Sequence, residues 1–488
     1  MLRLTWVQPE DLLGHELRQA AEDGREAGAI AARWKAAGGC EPPARAGASP
    51  QRASRYLRLL AEDLLDELAD LPSRSAEDEP TELEKIQALC PQWPTRPDDA
   101  PPPATPHDAR PPASLDDAGP AAALPAKTPA AAPARLEAAW LGRAVGCLLG
   151  KPVEKLPLDA VRALARATGN WPLTGYFTAR GVPGPLLEAH PWNRRSAGTS
   201  LAENIDGMPE DDDLNYPLLN LLLLQRHGRD FTTEDVARLW LDALPPGRAF
   251  TAERIALRNL LCGVEPPHTA RHRNPFREWI GALIRADVHG WTNPGDPAAA
   301  ARQAHRDACL THTANGVYAA MFTAAVTAAA AAGAQDVHAC LRTGLAVVPP
   351  RSRLARAVAH AVRLAGEHPG PDGFDAVVDE LHAVHRASHW VHAVPNTALI
   401  AAALTHADGD FTRSVRNAVA GGLDTDSAGA TAGGVAALLA GDPAALPDHW
   451  TAPLKNRLAT SVADFNGVGF DTLAQLTWSL THREASRP

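Results

Sequence analysis

Two clusters of oxygen-bearing side chains, far apart in the chain, could together bind divalent metal ions. The first runs from Glu210 to Asp213, and the second is segment 424–427, with the sequence DTDS. Carboxylate and hydroxyl oxygens are the ligands that hard cations such as Mg²⁺ and Mn²⁺ prefer. Each cluster adjoins a run of small or apolar residues, where this much negative charge is costly to bury unless a cation balances it. Two divalent cations would supply that balance and could also activate a water.

Each cluster also has a simpler interpretation. Acidic residues commonly precede a helix because they interact favourably with its dipole, but one or two carboxylates would be enough. Segment 424–427 could form an ordinary turn that caps a helix. Four consecutive acidic residues exceed what capping requires, and the glycines on both sides of segment 424–427 allow backbones to approach closely. We therefore favour a metal site over both capping interpretations.

Composition limits the classes of protein to which the chain can belong. Its 488 residues suffice for more than one domain, and 45% are hydrophobic while only 5% are aromatic. That balance favours packed helices over a β-sandwich. The net charge of −10 makes nucleic-acid binding an unlikely function, because such binding depends on neutralising phosphates. The six scattered cysteines match neither a disulfide framework nor a zinc motif.

The sequence shows no obvious targeting or membrane segment. Its first residues lack the basic and apolar regions of a secretory signal. We find no run of about 18 apolar residues that would span a bilayer. A soluble cytoplasmic protein without a membrane partner is therefore expected.

Composition divides the chain into three regions. Residues 1–90 carry apolar side chains at intervals of three and four, which predicts a helical region whose partner the sequence does not identify. Residues 91–134 are rich in Pro and Ala and poor in large apolar groups. They cannot bury enough surface to offset the entropy of ordering, so we predict a flexible linker. Residues 135–480 form the predicted main domain.

Helical periodicity dominates the main domain, and strand patterns are nearly absent, which predicts an all-α fold. The first helix is predicted to begin near Arg135 and to end at Gly150. Segment 169–212 has no clear period and is predicted to be a long loop. Further helices are predicted at 214–227, 233–243, 251–262, 275–288, 297–308, 316–333, 352–367, 373–390, 395–406, 411–420 and 428–441.

Four short motifs resemble, in order, those of the ADP-ribosylglycohydrolase family. That family includes the dinitrogenase reductase-activating glycohydrolase and the ADP-ribosylarginine and ADP-ribosylserine hydrolases. Its pattern runs Gly-Asp-Ala-Leu-Gly-Ala-Pro-x-Glu, Thr-Asp-Asp-Thr, Gly-Asn-Gly and Asp-x-Asp-Thr. The corresponding segments here are GCLLGKPVE at 146–154, EDDD at 210–213, NGVYAAM at 315–321 and DTDSAGA at 424–430. Each motif alone is weak, but their shared order is a specific signal.

The resemblance implies a fold, a cofactor and a reaction. It implies an all-α, multi-helix orthogonal bundle, preceded here by an N-terminal helical extension. It also implies two divalent cations, Mg²⁺ or Mn²⁺, and hydrolysis of the glycosidic bond of an ADP-ribosyl group carried by a protein or small molecule. By position it assigns catalysis to Glu154 and Asp212. It assigns substrate binding to Asn315 and Gly316. His312, three residues before Asn315, could reach the same pocket and is a further candidate for substrate binding. The implied metal ligands are Glu210, Asp211, Asp212, Asp424, Asp426 and Ser427.

Departures from the family pattern leave the ligand register and the substrate open. Glu210 and Asp213 replace threonines, Ser427 replaces the late threonine but retains a hydroxyl, and Cys147 replaces an aspartate. One alternative is therefore a hydrolase of another N-riboside or metabolite that uses the same metal pair. The other is a catalytically silent ADP-ribose-binding module in which residues 1–90 recruit a partner, although the intact second cluster argues against it.

Overall fold

The computed structural model describes residues 3–42, 47–94, 132–334, 336–370 and 372–482. Over these residues the chain forms 22 α-helices and no β-strand, which confirms the predicted all-α fold. In chain order the helices are α1 (Pro9–Glu22), α2 (Gly28–Ala36), α3 (Arg55–Ala69), α4 (Leu83–Leu89), α5 (Pro133–Gly150), α6 (Leu158–Ala167), α7 (Gly184–Ala189), α8 (Ala197–Ser200), α9 (Asp212–His227), α10 (Thr233–Ala243), α11 (Thr251–Leu261), α12 (Asp287–Trp291), α13 (Pro297–Ala308), α14 (Ala314–Ala331), α15 (Val337–Leu345), α16 (Arg353–Glu367), α17 (Phe374–Val384), α18 (Ala393–Ala407), α19 (Phe411–Ala420), α20 (Thr425–Ala440), α21 (Asp448–Thr451) and α22 (Phe470–Thr481).

Apolar periodicity located most helices of the main domain. The bounds predicted for α10, α13 and α19 coincide with those in the structure, and α5 ends at Gly150 as predicted. Helices α6, α15 and α22 were missed, and the predicted long loop contains the short helices α7 and α8. The pattern therefore located some helices of 10 to 12 residues with their bounds and missed others of the same length, such as α6 and α22.

The prediction of a single helix over residues 275–288 is wrong. A six-residue 3₁₀-helix, Ile280–Arg285, stands there and leads into α12. The buried Arg285 side chain forms ion pairs with Asp307 at 3.0 Å and with Glu253 at 2.9 Å. These contacts join segments distant in sequence, so apolar spacing within the segment does not reveal them.

Helix α14 forms the apolar centre of the fold. By length and composition it could cross a membrane, so the expectation that the chain has no such run is wrong. In the fold, however, 94% of the helix is buried inside the protein. It is therefore a core helix, whose apolar surface is covered by neighbouring helices.

Helices α5 and α20 approach each other through glycines. A Cβ atom on Gly146 would lie 1.9 Å from the carbonyl oxygen of Gly429, and one on Gly142 would lie 2.3 Å from that of Gly433. A Cβ on Gly150 would lie 2.3 Å from the Thr425 carbonyl oxygen. Only the absence of side chains permits this contact. It brings the end of α5 against the beginning of α20, where the second acidic cluster lies.

The N-terminal region, 3–94, packs on the main body through buried ion pairs. Arg277 contacts Glu16 at 2.8 Å and Asp23 at 3.0 Å, both from the N-terminal region. Arg353 contacts Glu79 at 2.7 Å, and also Asp23 and the main-body residue Glu278. Most of the predicted linker, residues 95–131, lies outside the described residues. The N-terminal region is thus integrated with the main body by charge as well as by apolar contact.

Replacing Arg353 with methionine is expected to lower the free energy of unfolding by about 3–5 kcal/mol, because the buried carboxylates lose their shared cation. Glu79 and Glu278, whose side chains are 2% and 3% exposed, would be left uncompensated. Chemical denaturation of the full chain measures this change. The control is Arg351→Met: that arginine is 71% exposed and pairs with Asp78, so its loss should cost less than about 1 kcal/mol. Equal losses in the two variants would contradict the prediction.

Candidate metal centre

A cavity of about 450 Å³ opens where α5 ends and where α9 and α20 begin. Helix N-termini carry partial positive charge, which favours carboxylates at the starts of α9 and α20. The cavity also borders the long loop and the 3₁₀-helix Ile280–Arg285. Its lining includes Trp6, Lys151, Glu154, Lys155, Asn193, Arg195, Glu210, Asp211, Asp212, Asp213, Arg248, Phe250, Trp390, Asp424, Asp426 and Ser427. The two acidic clusters predicted from the sequence therefore meet at one cavity.

Glu154, Asp424 and Asp426 form the first potential metal-binding group. One carboxylate oxygen from each lies within 4.8 Å of the others. Asn193 donates a 2.6 Å hydrogen bond to Glu154, and Lys155 lies 2.8 Å from its other oxygen. Three carboxylates at this separation fit a hard divalent cation.

Burial and the repulsion of neighbouring carboxylates shift the pKa of Asp424 and of Asp426 in this first group. Burial, followed by the charges of Asp426 and Glu154, raises the pKa of Asp424 well above its usual range. Burial, then Glu154 and Asp211, raises the pKa of Asp426 to about 7. A bound divalent cation would oppose both shifts because it favours the ionised carboxylates.

Cys147, Asp211 and Asp213 form the second group, in which a thiol accompanies the two carboxylates. Lys151 is ion-paired with Asp211. Arg143 reaches Asp213 at 3.3 Å and is also ion-paired with the buried Asp287. Burial raises the pKa of the Cys147 thiol well above its ordinary value, and the nearby aspartates add to the rise. The two carboxylates of the second group therefore already have basic partners, Lys151 and Arg143, and burial disfavours ionisation of the Cys147 thiol.

Two side chains of the acidic clusters make local structural contacts at the helix starts. Asp211 caps α9 by accepting a 3.0 Å hydrogen bond from the backbone N–H of Asp213. Ser427, near the start of α20, donates a 3.3 Å hydrogen bond to Asp213 in the first turn of α9 and so links the two helices. The capping interpretation is thus correct for Asp211, but it accounts for only one of the acidic residues.

Asp212 differs from its neighbours because no hydrogen bond or ion pair holds its side chain in the described residues. It lines the cavity next to the first group. Burial raises its pKa well above the usual range, and the charges of Asp211, Asp426 and Glu154 add to this. An unpaired carboxylate in the cavity wall is suited to accept a proton or to bind a cation.

Glu210 lines the same cavity, but its carboxylate is already engaged. Arg248 lies 2.9 Å from one oxygen, while the other accepts hydrogen bonds from Asn215 at 3.2 Å and from the backbone N–H of Ser461 at 3.0 Å. Metal binding by Glu210 stays a prediction. The geometry brings Asp213, rather than Glu210, into a potential metal-binding group.

The predicted substrate residues do not border this cavity. Asn315 is fully buried, donates a 3.0 Å hydrogen bond to Glu278 and accepts one from the backbone N–H of Leu354. Gly316 packs against the backbone carbonyl of Arg277. His312 is also fully buried. Substrate binding by His312, Asn315 and Gly316 stays a prediction, since the structure does not bring them together with the acidic clusters.

Sequence reasoning missed several cavity residues. Lys151 stands inside the first motif, where the family pattern has alanine, so that substitution was a usable signal. Asn193 lies in the long loop with no local pattern to mark it. Trp6 and Trp390 reach the cavity from opposite ends of the sequence. Only the tertiary fold brings these last three residues to the site.

Residues 128–485 match a family model described as ADP-ribosylglycohydrolase. Among solved structures, an ADP-ribosylglycohydrolase-related protein complex aligns at 21% sequence identity with a TM-score of 0.42, covering 72% of this chain and 98% of that chain. No curated protein sequence matches the chain. The family match contains all four motif segments, and it leaves the N-terminal region, 3–94, outside.

Proposed function

The chain belongs to the ADP-ribosylglycohydrolase family, and we propose that it is a divalent-metal-dependent hydrolase that releases ADP-ribose by cleaving the glycosidic bond at C1″ of an ADP-ribosyl group. Family membership supports a glycohydrolase in general. The metal dependence and the ADP-ribosyl substrate are the proposal's own additions. Mg²⁺ or Mn²⁺ is the proposed cofactor because the donors are carboxylate oxygens.

The convergence of Glu154, Asp424 and Asp426 carries the proposal. A divalent cation bound there would orient ribose hydroxyls and polarise a water. Cleavage of the glycosidic bond develops oxocarbenium-like positive charge on the ribose. The excess of carboxylates in the cavity wall would stabilise that charge, so the electrostatics of this site favour the transition state of this reaction.

Two carboxylates are placed to move the proton that hydrolysis requires. Asn193 and Lys155 fix the orientation of Glu154, which we assign as the general base towards the attacking water. Asp212, which has no such restraint in the described residues, is the second candidate for proton transfer. Its raised pKa favours a protonated carboxyl that can donate to a leaving group.

Aromatic side chains occupy another part of the same cavity wall. Trp6, Phe250 and Trp390 all line it, and Trp6 comes from the N-terminal region. The Trp6 ring packs edge-on against Phe276, with 5.5 Å between ring centroids. Sugar hydroxyls suit the acidic wall and a flat base suits the aromatic wall, so we assign base binding to these three residues.

Replacing Trp6 with alanine is expected to weaken ADP-ribose binding by about 1–3 kcal/mol, the usual contribution of one base–aromatic contact. Binding of ribose 5-phosphate, which has no base, should be unchanged, and Trp6→Phe should restore part of the loss. Calorimetry with the Mg²⁺-loaded full chain measures all three affinities. Trp34→Ala is the control, because Trp34 is buried in the N-terminal region but does not line the cavity. Equal weakening of both ligands would mean that Trp6 acts only on folding.

The second candidate function is hydrolysis of a smaller N-riboside. It is favoured by the contacts through which the N-terminal region covers the beginning of α14. Thr81 accepts a 3.1 Å hydrogen bond from the backbone N–H of Ala314, and Tyr318 donates one to the Pro80 carbonyl oxygen. Residues 79–81 therefore lie over the segment around Asn315 to which the resemblance assigns substrate binding, and which resembles the family's loop for the phosphates and ribose of ADP-ribose. A substrate without a diphosphate would not need that segment.

Product analysis with the full chain separates these candidates. The chelated and Mg²⁺- or Mn²⁺-restored protein is incubated with ADP-ribosylated arginine and serine peptides, ADP-ribosylated DNA and free nucleosides. Metal-dependent release of ADP-ribose supports the proposal, whereas release of a free base from nucleosides alone supports the second candidate. Binding of ADP-ribose without any turnover would identify a silent binding module instead.

A further inference from the structure

The side chain of Lys151 is buried in the metal cavity, with 7% of its surface exposed. Its ammonium group pairs with Asp211 and donates a 3.3 Å hydrogen bond to the backbone carbonyl oxygen of Glu210. Asp211 is one of the residues that the sequence assigns to metal binding. A fixed positive charge therefore already occupies one side of this predicted ligand.

The cations of the site are unevenly distributed among its carboxylates. Lys151 forms an ion pair with Asp211, and Arg143 forms one with Asp213. Asp424 and Asp426, in contrast, have no ion pair in the described part of the chain, and Glu154 has only Lys155. The first group thus has three carboxylates and one ammonium group, whereas at the second each carboxylate has a basic partner, although Arg143 is shared with Asp287. The need for a further cation is therefore greater at the first group.

The donor atoms of the second group also suit a hard cation poorly. Its third member is the thiol of Cys147, which is 4.0 Å from Asp213. The thiol sulfur is a soft donor, whereas Mg²⁺ and Mn²⁺ prefer oxygen. Two independent features, the lysine and the thiol, therefore disfavour a second ion at this place.

We propose that the Lys151 ammonium takes the place of a second divalent ion, so that this chain binds one ion, at Glu154, Asp424 and Asp426. This inference rests on the metal site of the proposed function, but not on its substrate. An ammonium group cannot act as a Lewis acid towards water. It has three N–H donors, two of which are used by Asp211 and the Glu210 carbonyl. The third has no partner among the described residues and can bind an oxygen of the substrate.

Manganese stoichiometry tests this inference without any substrate. The full chain is stripped with a chelator, dialysed against Mn²⁺, and analysed for bound metal and by electron paramagnetic resonance. We expect one Mn²⁺ per chain with the six-line spectrum of an isolated ion. Lys151→Ala should bind a second Mn²⁺ and show an exchange-coupled spectrum, and Lys151→Ala combined with Cys147→Asp should bind it more tightly.

Lys155→Ala is the matched control, because Lys155 lies in the same cavity and pairs with Glu154 instead. It should leave the stoichiometry at one, and circular dichroism confirms that each variant is folded. Two ions in the wild type would overturn the inference while leaving the proposed function intact. No ion in the wild type would overturn both. A Lys151→Ala protein that folds and still binds one ion would also overturn the inference, as would two ions in Lys155→Ala.

Discussion

Replacing Glu154 with glutamine is expected to lower kcat by about 10²- to 10⁴-fold, the usual contribution of a general base. Glutamine keeps the size of the side chain and one carbonyl oxygen, so the hydrogen bond from Asn193 can persist. It cannot take a proton from the attacking water. Because Asp424 and Asp426 are unchanged, we expect the variant to retain a bound cation and to bind ADP-ribose with nearly the wild-type affinity.

Three measurements on each protein separate the effect on catalysis from the effect on binding. These are the rate of ADP-ribose release, the calorimetric affinity for ADP-ribose and the metal content. The matched control is Glu188→Gln, because Glu188 is an exposed glutamate of α7, within the long loop 169–212, and does not line the cavity. An unchanged rate in Glu154→Gln would show that Glu154 only binds the cation, and proton transfer would then be assigned to Asp212.

Replacing Gly146 with alanine is expected to separate α5 from α20 and thereby to impair both stability and metal binding. The new Cβ would lie 1.9 Å from the carbonyl oxygen of Gly429, which is backbone and cannot rotate away. Overpacking of this kind typically costs about 1–3 kcal/mol or more. A shift of α20 also moves Asp424 and Asp426 away from Glu154, so the affinity for a divalent cation should fall with the free energy of unfolding.

Gly366→Ala provides a control with the opposite expected sign. Gly366 lies in the last turn of α16, and a Cβ there would meet no atom within 4 Å. Alanine in a helix is favoured over glycine by up to about 1 kcal/mol. Denaturation curves and metal titrations of both variants give the comparison. If Gly146→Ala retained full metal affinity, the close approach of the two helices would not be what positions the site.

Much of the fold could be predicted because it depends on local spacing. Amphipathic helices such as α10 and α19 bury one face, and a 3.6-residue period marks that face in the sequence. The beginning of α20 was predicted at residue 428, whereas the helix starts at Thr425, because its first turn consists of the polar residues of the second acidic cluster and carries no apolar period. Short elements such as α7 have too few residues to show a period.

The unpredicted parts of the site depend on contacts between distant segments. Nothing adjacent to Lys151 in the sequence indicates that it would pair with Asp211, and the partner of Glu154, Asn193, lies in a loop without a pattern. The interpretation of Asn315 came from the motif alone. The order of the motifs identifies which segment of the family Asn315 belongs to. It does not show whether that segment is accessible, and here residues 79–81 of the N-terminal region cover the beginning of α14.

The contact between the two ends of the main body determines when the protein can acquire its site during synthesis. Thr425 donates a hydrogen bond to the Gly150 carbonyl oxygen across 275 positions of sequence, and Ser427 contacts Asp213 across 214. Helix α5 leaves the ribosome long before α20 exists, so its glycine face has no partner during most of translation. Contacts this distant in sequence also slow folding, because the chain loses the entropy of loop closure before the stabilising contacts form. A nascent chain of this protein should therefore expose that face to chaperones, and we expect it to be unable to bind the proposed metal ion until synthesis has passed residue 427.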